Sequence, residues 1–337
     1  MEDKEMPNII THKLFGEQAI TALMKSTDPM KHEALRVIQK HAHLFYIGTN
    51  GPDFLFFHHA KPWESWKSHR LSKIGGSLHR GQVNDFYEAA ITAIRKQEDP
   101  LIKERMVAYL MGHLCHWALD KTAHPYIFYR TGNCKGKSAY AHHRFESMMD
   151  AMMLRRYHNE TIETYKAADI AAADREMLQA IARIYVPAVG SALHQKLTVH
   201  EIHEALLDWH EILLLLHDPT GKLCERLQKV EIRLHRKWMI SGHIIPKDID
   251  PRFDVLNLQK QTWYHPCTMR LFSNASVPEM FEEGIGVAAE AIKLAYQDIC
   301  EESGFGLGNL LHDQAYDTGM DPSAKMKHFD LIYDDMD

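Results

Sequence analysis

The sequence predicts an all-α fold, a multi-helix bundle. Three observations lead there. Apolar residues recur at three- and four-residue spacing in segment after segment. No run alternates apolar and polar residues in the manner of a half-buried strand. Gly and Pro fall between the periodic segments, where they end helices. The chain has 337 residues, 45% hydrophobic and 25% charged, enough to bury a large core. Residues 1–160 read as a helical core and 161–337 as a helical extension packed on it, either as two units or as one continuous domain.

In chain order, Asn8 is the expected N-cap of a helix from Ile9 to Lys25, with Leu14, Ala19, Ile20, Leu23 and Met24 at helical spacing. His12 shares the inward side with Phe15, Ala19 and Leu23. Alone, it reads as a core or rim histidine. A second helix runs from Met30 to Phe45. Gly48, Gly51 and Pro52 then break the pattern ahead of Asp53 and the run Phe54-Leu55-Phe56-Phe57. The aromatic run seeks burial and carries Asp53 inward, where a carboxylate needs a cation or metal. A plain helix N-cap accounts for Asp53 equally well on local grounds. Gly75-Gly76 mark the next break, and His79 opens a helical segment with Phe86, Ala89, Ile91 and Ile94. A long helix runs from Leu101 to about Thr122 and ends at His124, because Pro125 disfavours helical geometry there.

The connection RTGNCKGKSAY leads to the helix AHHRFESMMDAMMLRRY. Ile162–Ile184, Ser191–Leu216 and Glu225–Met239 also read as helices. Pro246 and Pro251 mark a loop, and a last good helix starts near Val277. The acidic stretch from Asp313 to Asp337 is weakly patterned and reads as loosely packed.

Chemistry concentrates in the first half. Thirteen of the 24 histidines precede residue 150. His116, Asp120 and His124 stand at i, i+4 and i+8, as do His142, Glu146 and Asp150, so each set lies along one helix face. Imidazole and carboxylate are donors that zinc accepts. Two such ladders on either side of a short loop point to a metal site between helices, a known device of bundle cores. His203, His210 and His217 repeat every seven residues without acidic or Cys companions in a tight pattern, and read as the polar edge of a solvated helix.

The net charge of −6 argues against a dedicated nucleic-acid binder. The five cysteines are far apart and never form CxxC, which suits free thiols in a reducing compartment. MEDKEMPNIITHK lacks the apolar core of a signal peptide, and no run reaches the ~20 apolar residues of a membrane span. A soluble, cytoplasmic protein is expected.

In this order, His12, Gly51-Pro52-Asp53, Ser77-Leu78-His79, His116-x3-Asp120-x3-His124 and His142-x3-Glu146 resemble the zinc-dependent phospholipase C family. That family has an α-helical fold shared with certain single-strand-specific zinc nucleases. The resemblance is clear over residues 5–160. It extends more weakly through TWYHP near Trp263, in a pattern typical of uncharacterised bacterial members. It implies two or three zinc ions. Asp53, His79, His116 and Asp120 would hold one, and His124, His142 and Glu146 a second. His12 would serve a third, with Asp120 as the bridge. His69 competes with His79 by its distance from Asp53, and His143 competes with His142. The amino-terminal tryptophan that binds metal in the secreted phospholipases has no counterpart before Trp63. The implied activity is hydrolysis of a small phosphoester or phospholipid-like substrate, with Asp53 as general base or orienting the attacking water. The alternatives are a nuclease or nucleotide phosphatase on the same scaffold, with Phe54–Phe57 and Tyr126–Tyr129 free to stack a base or line a lipid pocket, or a non-catalytic metal-binding helical protein. The resemblance does not specify the oligomeric state.

Overall fold

Helices account for nearly all of the architecture. A computed structural model describes residues 9–64, 66–301 and 304–333. In chain order the helices are α1 (Ile10–Lys25), α2 (Pro29–Lys40), α3 (Ala42–Gly48), α4 (Phe54–Phe57), α5 (Arg70–Arg80), α6 (Val83–Arg95) and α7 (Pro100–Thr131). There follow α8 (Lys137–His158), α9 (Ala168–Ala171), α10 (Arg175–Leu193), α11 (Val199–Leu216), α12 (Lys222–Arg233), α13 (Val277–Cys300) and α14 (Gly308–Leu311). The all-α expectation holds, with one addition. Strands β1 (Trp263–His265) and β2 (Thr268–Ser273) form a small antiparallel hairpin. No helix among the described residues is long and apolar enough to cross a membrane.

The bundle is built on α7. Every residue from Met106 to Asp120 is buried, so this helix is enclosed on all sides, as an all-round apolar helix must be. Helices α1, α3, α8, α10 and α13 pack against it. One contiguous core joins Leu14, Phe45 and Leu110 to Ile181, Trp209 and Phe281, drawing on both halves of the chain. Helix α3 crosses α7 with backbones in contact. A Cβ on Gly112 would lie 2.1 Å from the Phe45 carbonyl oxygen, and one on Gly48 would lie 2.3 Å from that of Tyr109. This crossing brings the chain leading to Asp53 against the His116 face of α7.

Several boundaries differ from the sequence expectation, each for a physical reason. Helix α7 does not stop at His124 but runs through Pro125 to Thr131. An internal proline costs about 3 kcal/mol. Burial of Tyr126, Ile127, Phe128 and Tyr129, at roughly 1.5–3 kcal/mol each, outweighs it. Helix α5 contains Gly75 and Gly76 in its interior, with Gly75 against Leu55 and Phe56 of α4, and His79 lies in its last turn. The helix expected from Met30 to Phe45 is two helices, broken at His41.

Ile162–Ile184 is also divided. Asp174 caps α10 by accepting the N–H groups of Glu176 and Met177. The expected start at Ser191 fails because Thr198 and Glu201 form a capping box that starts α11. Helix α12 ends at Arg233, short of Met239. Asn8 lies outside the described residues. The start of α1 is instead held by Asp150 of α8, which accepts the N–H groups of Ile9, Ile10 and Thr11 at 2.9, 3.1 and 2.7 Å and the Thr11 hydroxyl at 2.7 Å.

The α3–α7 crossing makes a direct test. Gly112→Ala forces a Cβ into backbone, and overpacking of this kind costs about 1–3 kcal/mol. The expected result is a lower urea midpoint at unchanged slope.

Candidate metal centre

Four helices and one turn deliver eight ligand-type side chains to a single region. His12 comes from the first turn of α1. Asp53 ends the turn that follows α3. Gly51 in that turn has φ +50°, and a Cβ there would sit 2.2 Å from the His116 ring. Only glycine lets the chain pass so close. The Gly51 carbonyl accepts hydrogen bonds from the Tyr109 and Tyr185 hydroxyls at 3.2 and 3.0 Å, which locks the turn. His79 ends α5, His116, Asp120 and His124 line α7, and His142 and Glu146 line α8. All eight are buried, His124 the least at 7% exposure.

The contacts between them form a chain of donors. His79 Nε2 lies 3.0 Å from Asp53 Oδ1, and His116 Nε2 lies 3.5 Å from the same oxygen. Asp120 Oδ2 is 3.0 Å from His116 Nε2 and 3.7 Å from His124 Nδ1, while its Oδ1 is 3.2 Å from His12 Nε2. Glu146 Oε1 stands 3.6 Å from His124 Nε2 and 3.3 Å from His142 Nε2. Three groups have ligand atoms close enough to share an ion: His12–His116–Asp120, Asp53–His79–His116 and His124–His142–Glu146. Asp53 makes no cap hydrogen bond to α4, so the plain N-cap explanation fails.

Zinc fits this donor set. Both oxygens of Asp53, Asp120 Oδ2 and Glu146 Oε2 are buried without an aligned hydrogen-bond donor among the described residues, although buried polar atoms are satisfied as a rule. His79 and His116 face each other through Nε2 atoms 3.5 Å apart. The outer nitrogens are held as metal-binding imidazoles usually are. His79 Nδ1–H donates to the Gly75 carbonyl at 2.9 Å. His142 Nδ1–H donates to Thr131 Oγ1 at 3.0 Å, and Thr131 in turn donates to the Ile127 carbonyl. These bonds aim the Nε2 lone pairs inward. Three carboxylates among neutral imidazoles would leave uncompensated negative charge in the core, a strongly unfavourable state that bound cations relieve.

The electrostatics express the same demand. Burial opposes a charged His79, yet Asp53, with Asp317 and Asp120 behind it, raises the imidazole to about 10. Burial likewise opposes a charged His124, but Asp120 and Glu146 raise it to about 9. Burial works against the Glu146 carboxylate too, and His142 and His124 still draw it down to about 2. Without metal, protons occupy the places that a cation would take.

Other candidates go elsewhere. His69 precedes α5 and belongs to none of the three groups, whereas His79 stands beside Asp53. His143 packs on His243, with ring centroids 4.1 Å apart, while His142 faces Glu146. Asp150, the last rung of the second ladder, holds α1 rather than facing the centre. The aromatic runs Phe54–Phe57 and Tyr126–Tyr129 are buried in the core and offer no exposed ring to stack on a base.

The acidic stretch after α13, expected to pack loosely, is instead part of the centre. The Tyr316 N–H donates to the His79 carbonyl at 2.8 Å. Its ring lies 5.2 and 5.6 Å from the rings of His79 and His116. Asp317 is 7% exposed, and its charge acts on both His79 and His124. The sequence offered one signal, the pair Ala315-Tyr316 ahead of a Gly-containing turn.

The raised histidines make zinc uptake pH-dependent. Binding must displace their protons. Metal-free protein is expected to release protons on taking up zinc at pH 7, and to bind more tightly as the pH rises from about 6 to about 9. Calorimetry in buffers of different ionisation enthalpy reads the proton count. The same pairings stabilise the metal-free fold fully below the ordinary histidine value of 6.5, and that stability is lost as the pH climbs through about 9 and about 10.

A family model described as zinc-dependent phospholipase C matches residues 11–191. Neither a curated protein nor a solved structure matches the chain. The matched span covers more than half of the chain and contains the eight converging side chains, and on this ground the chain belongs to the zinc-dependent phospholipase C family.

Proposed function

We propose that the chain is a zinc-dependent phosphoric ester hydrolase, a phosphodiesterase acting on a phospholipid-like or other small phosphoester. The observation that carries this reading is the junction at Asp120, whose Oδ2 approaches both His116 and His124 and so joins the donor groups. Asp53, His79, His116 and Asp120 would hold one zinc, and His124, His142 and Glu146 a second. His12 with Asp120 would serve a third. The second set has three protein donors and leaves a coordination position for water or substrate, as in catalytic rather than structural sites. Bound zinc would acidify a water molecule and draw charge from the phosphoryl oxygens.

The chain's own groups do the rest. Asp120 sets the spacing between the sites. The Gly75 and Thr131 contacts fix the His79 and His142 tautomers. Asp53, held by the Gly51 turn, is placed to orient the attacking water or accept its proton. Burial of all eight groups keeps bulk water from screening their charges. The buried aromatic runs and the net charge of −6 favour a small ester over a polynucleotide.

Asp120→Asn is expected to lower zinc affinity at the centre and phosphodiesterase turnover by at least 100-fold, beyond the ~10–100-fold cost of losing an outer partner. Thr131→Ala should fall within that ~10–100-fold range, in zinc affinity first. Elemental analysis would be paired with assays on a short-chain phosphatidylcholine, a dinucleotide and a nucleoside monophosphate. Full zinc content and activity in Asp120→Asn would sink the reading. Preferential cleavage of the dinucleotide would move the substrate class to nucleic acid.

A further inference from the structure

One buried histidine stands apart from the centre. His58 follows α4 and is 5% exposed, yet neither ring nitrogen has a hydrogen-bond partner among the described residues. An imidazole always has polar capacity to satisfy. His59 lies against it, with ring centroids 3.7 Å apart, and its backbone takes the left-handed conformation, φ 55°. Such a conformation is uncommon for a residue with a side chain. Asp208 of α11 completes a group whose ligand atoms all lie within 4.8 Å of one another. Glu204, one turn earlier on α11, is 3.9 Å from His58 Nε2.

The charges also point to a cation. Lys61 Nζ binds Asp208 Oδ1 at 2.7 Å and Glu211 at 2.5 Å. Asp208 Oδ2 accepts the His59 N–H at 3.0 Å, and a carboxylate oxygen has a second lone pair to offer. Asp208 and Glu211 share that one ammonium, and Glu204, 3.5 Å from the exposed His200, adds a third carboxylate, which leaves the neighbourhood negative.

We propose that His58, His59 and Asp208 bind a structural zinc ion, separate from the family's centre, with Glu204 within reach as the fourth donor. Four protein donors of nitrogen and oxygen type make a closed zinc site. The ion would clamp the end of α4 to α11. Asp53 stands at the other end of α4, one turn away, so the clamp would steady the position of Asp53. The inference does not depend on the proposed activity.

Full-length protein stripped by a chelator and reloaded with zinc tests this. Ions per chain and the zinc-induced rise in Tm are compared for wild type, His58→Gln, His59→Gln and Asp120→Asn. His58→Gln and His59→Gln are each expected to bind about one zinc fewer than wild type and to show a smaller Tm rise. Asp120→Asn should lose ions from the centre and keep this one. If His58→Gln does not fold, His59→Gln decides. Folded variants that hold as many ions as wild type, at equal affinity, overturn the clamp. Full zinc content in Asp120→Asn counts against the centre alone, so the two readings fail separately.

Discussion

Charge in the middle of a core is the constraint on which this molecule turns. Asp53, Asp120 and Glu146 are all buried on or beside the helix that the bundle wraps. Such groups are tolerated only with counter-charge and donors at close range. The five imidazoles supply the geometry, and a proton or a cation must supply the charge. Much of the surrounding architecture serves that end. The glycine contact of α3 with α7 brings Asp53 to His116, the Gly75 and Thr131 bonds set imidazole tautomers, and Asp150 holds the helix that carries His12.

The candidate ligands were legible because a helix repeats. Spacing of i, i+4 and i+8 places side chains on one face whatever packs around them, so the ladders on α7 and α8 could be read before any tertiary contact was known. Asp53 was readable for another reason, a carboxylate driven inward by the four apolar residues behind it. Asp150 shows the limit of this reasoning. It shares the face of His142 and Glu146 by spacing, but α1 arrives with three unpaired N–H groups and claims it.

What spacing could not show was long-range. Local sequence ends α7 at Pro125, while the burial that carries it onward comes from distant segments. The tail is a stronger case. Its composition is acidic and its pattern weak, and only tertiary structure reveals that Tyr316 bonds to His79. The capping residues Asp174 and Thr198 were readable in principle. Apolar periodicity overran them because it does not register a short break between two helices of similar face.

The bond between Tyr316 and His79 has a consequence for biosynthesis. Glu146, the last of the eight donors, leaves the ribosome well before Tyr316 does. Amino-terminal segments of a nascent chain begin to fold as they emerge. The donor set can therefore assemble while its final cover is still being made. In that interval the face formed by His79 and His116 lacks the Tyr316 ring that later lies against it. A cation taken up in that interval would meet the donor set before the Tyr316 ring and the Asp317 charge are in place.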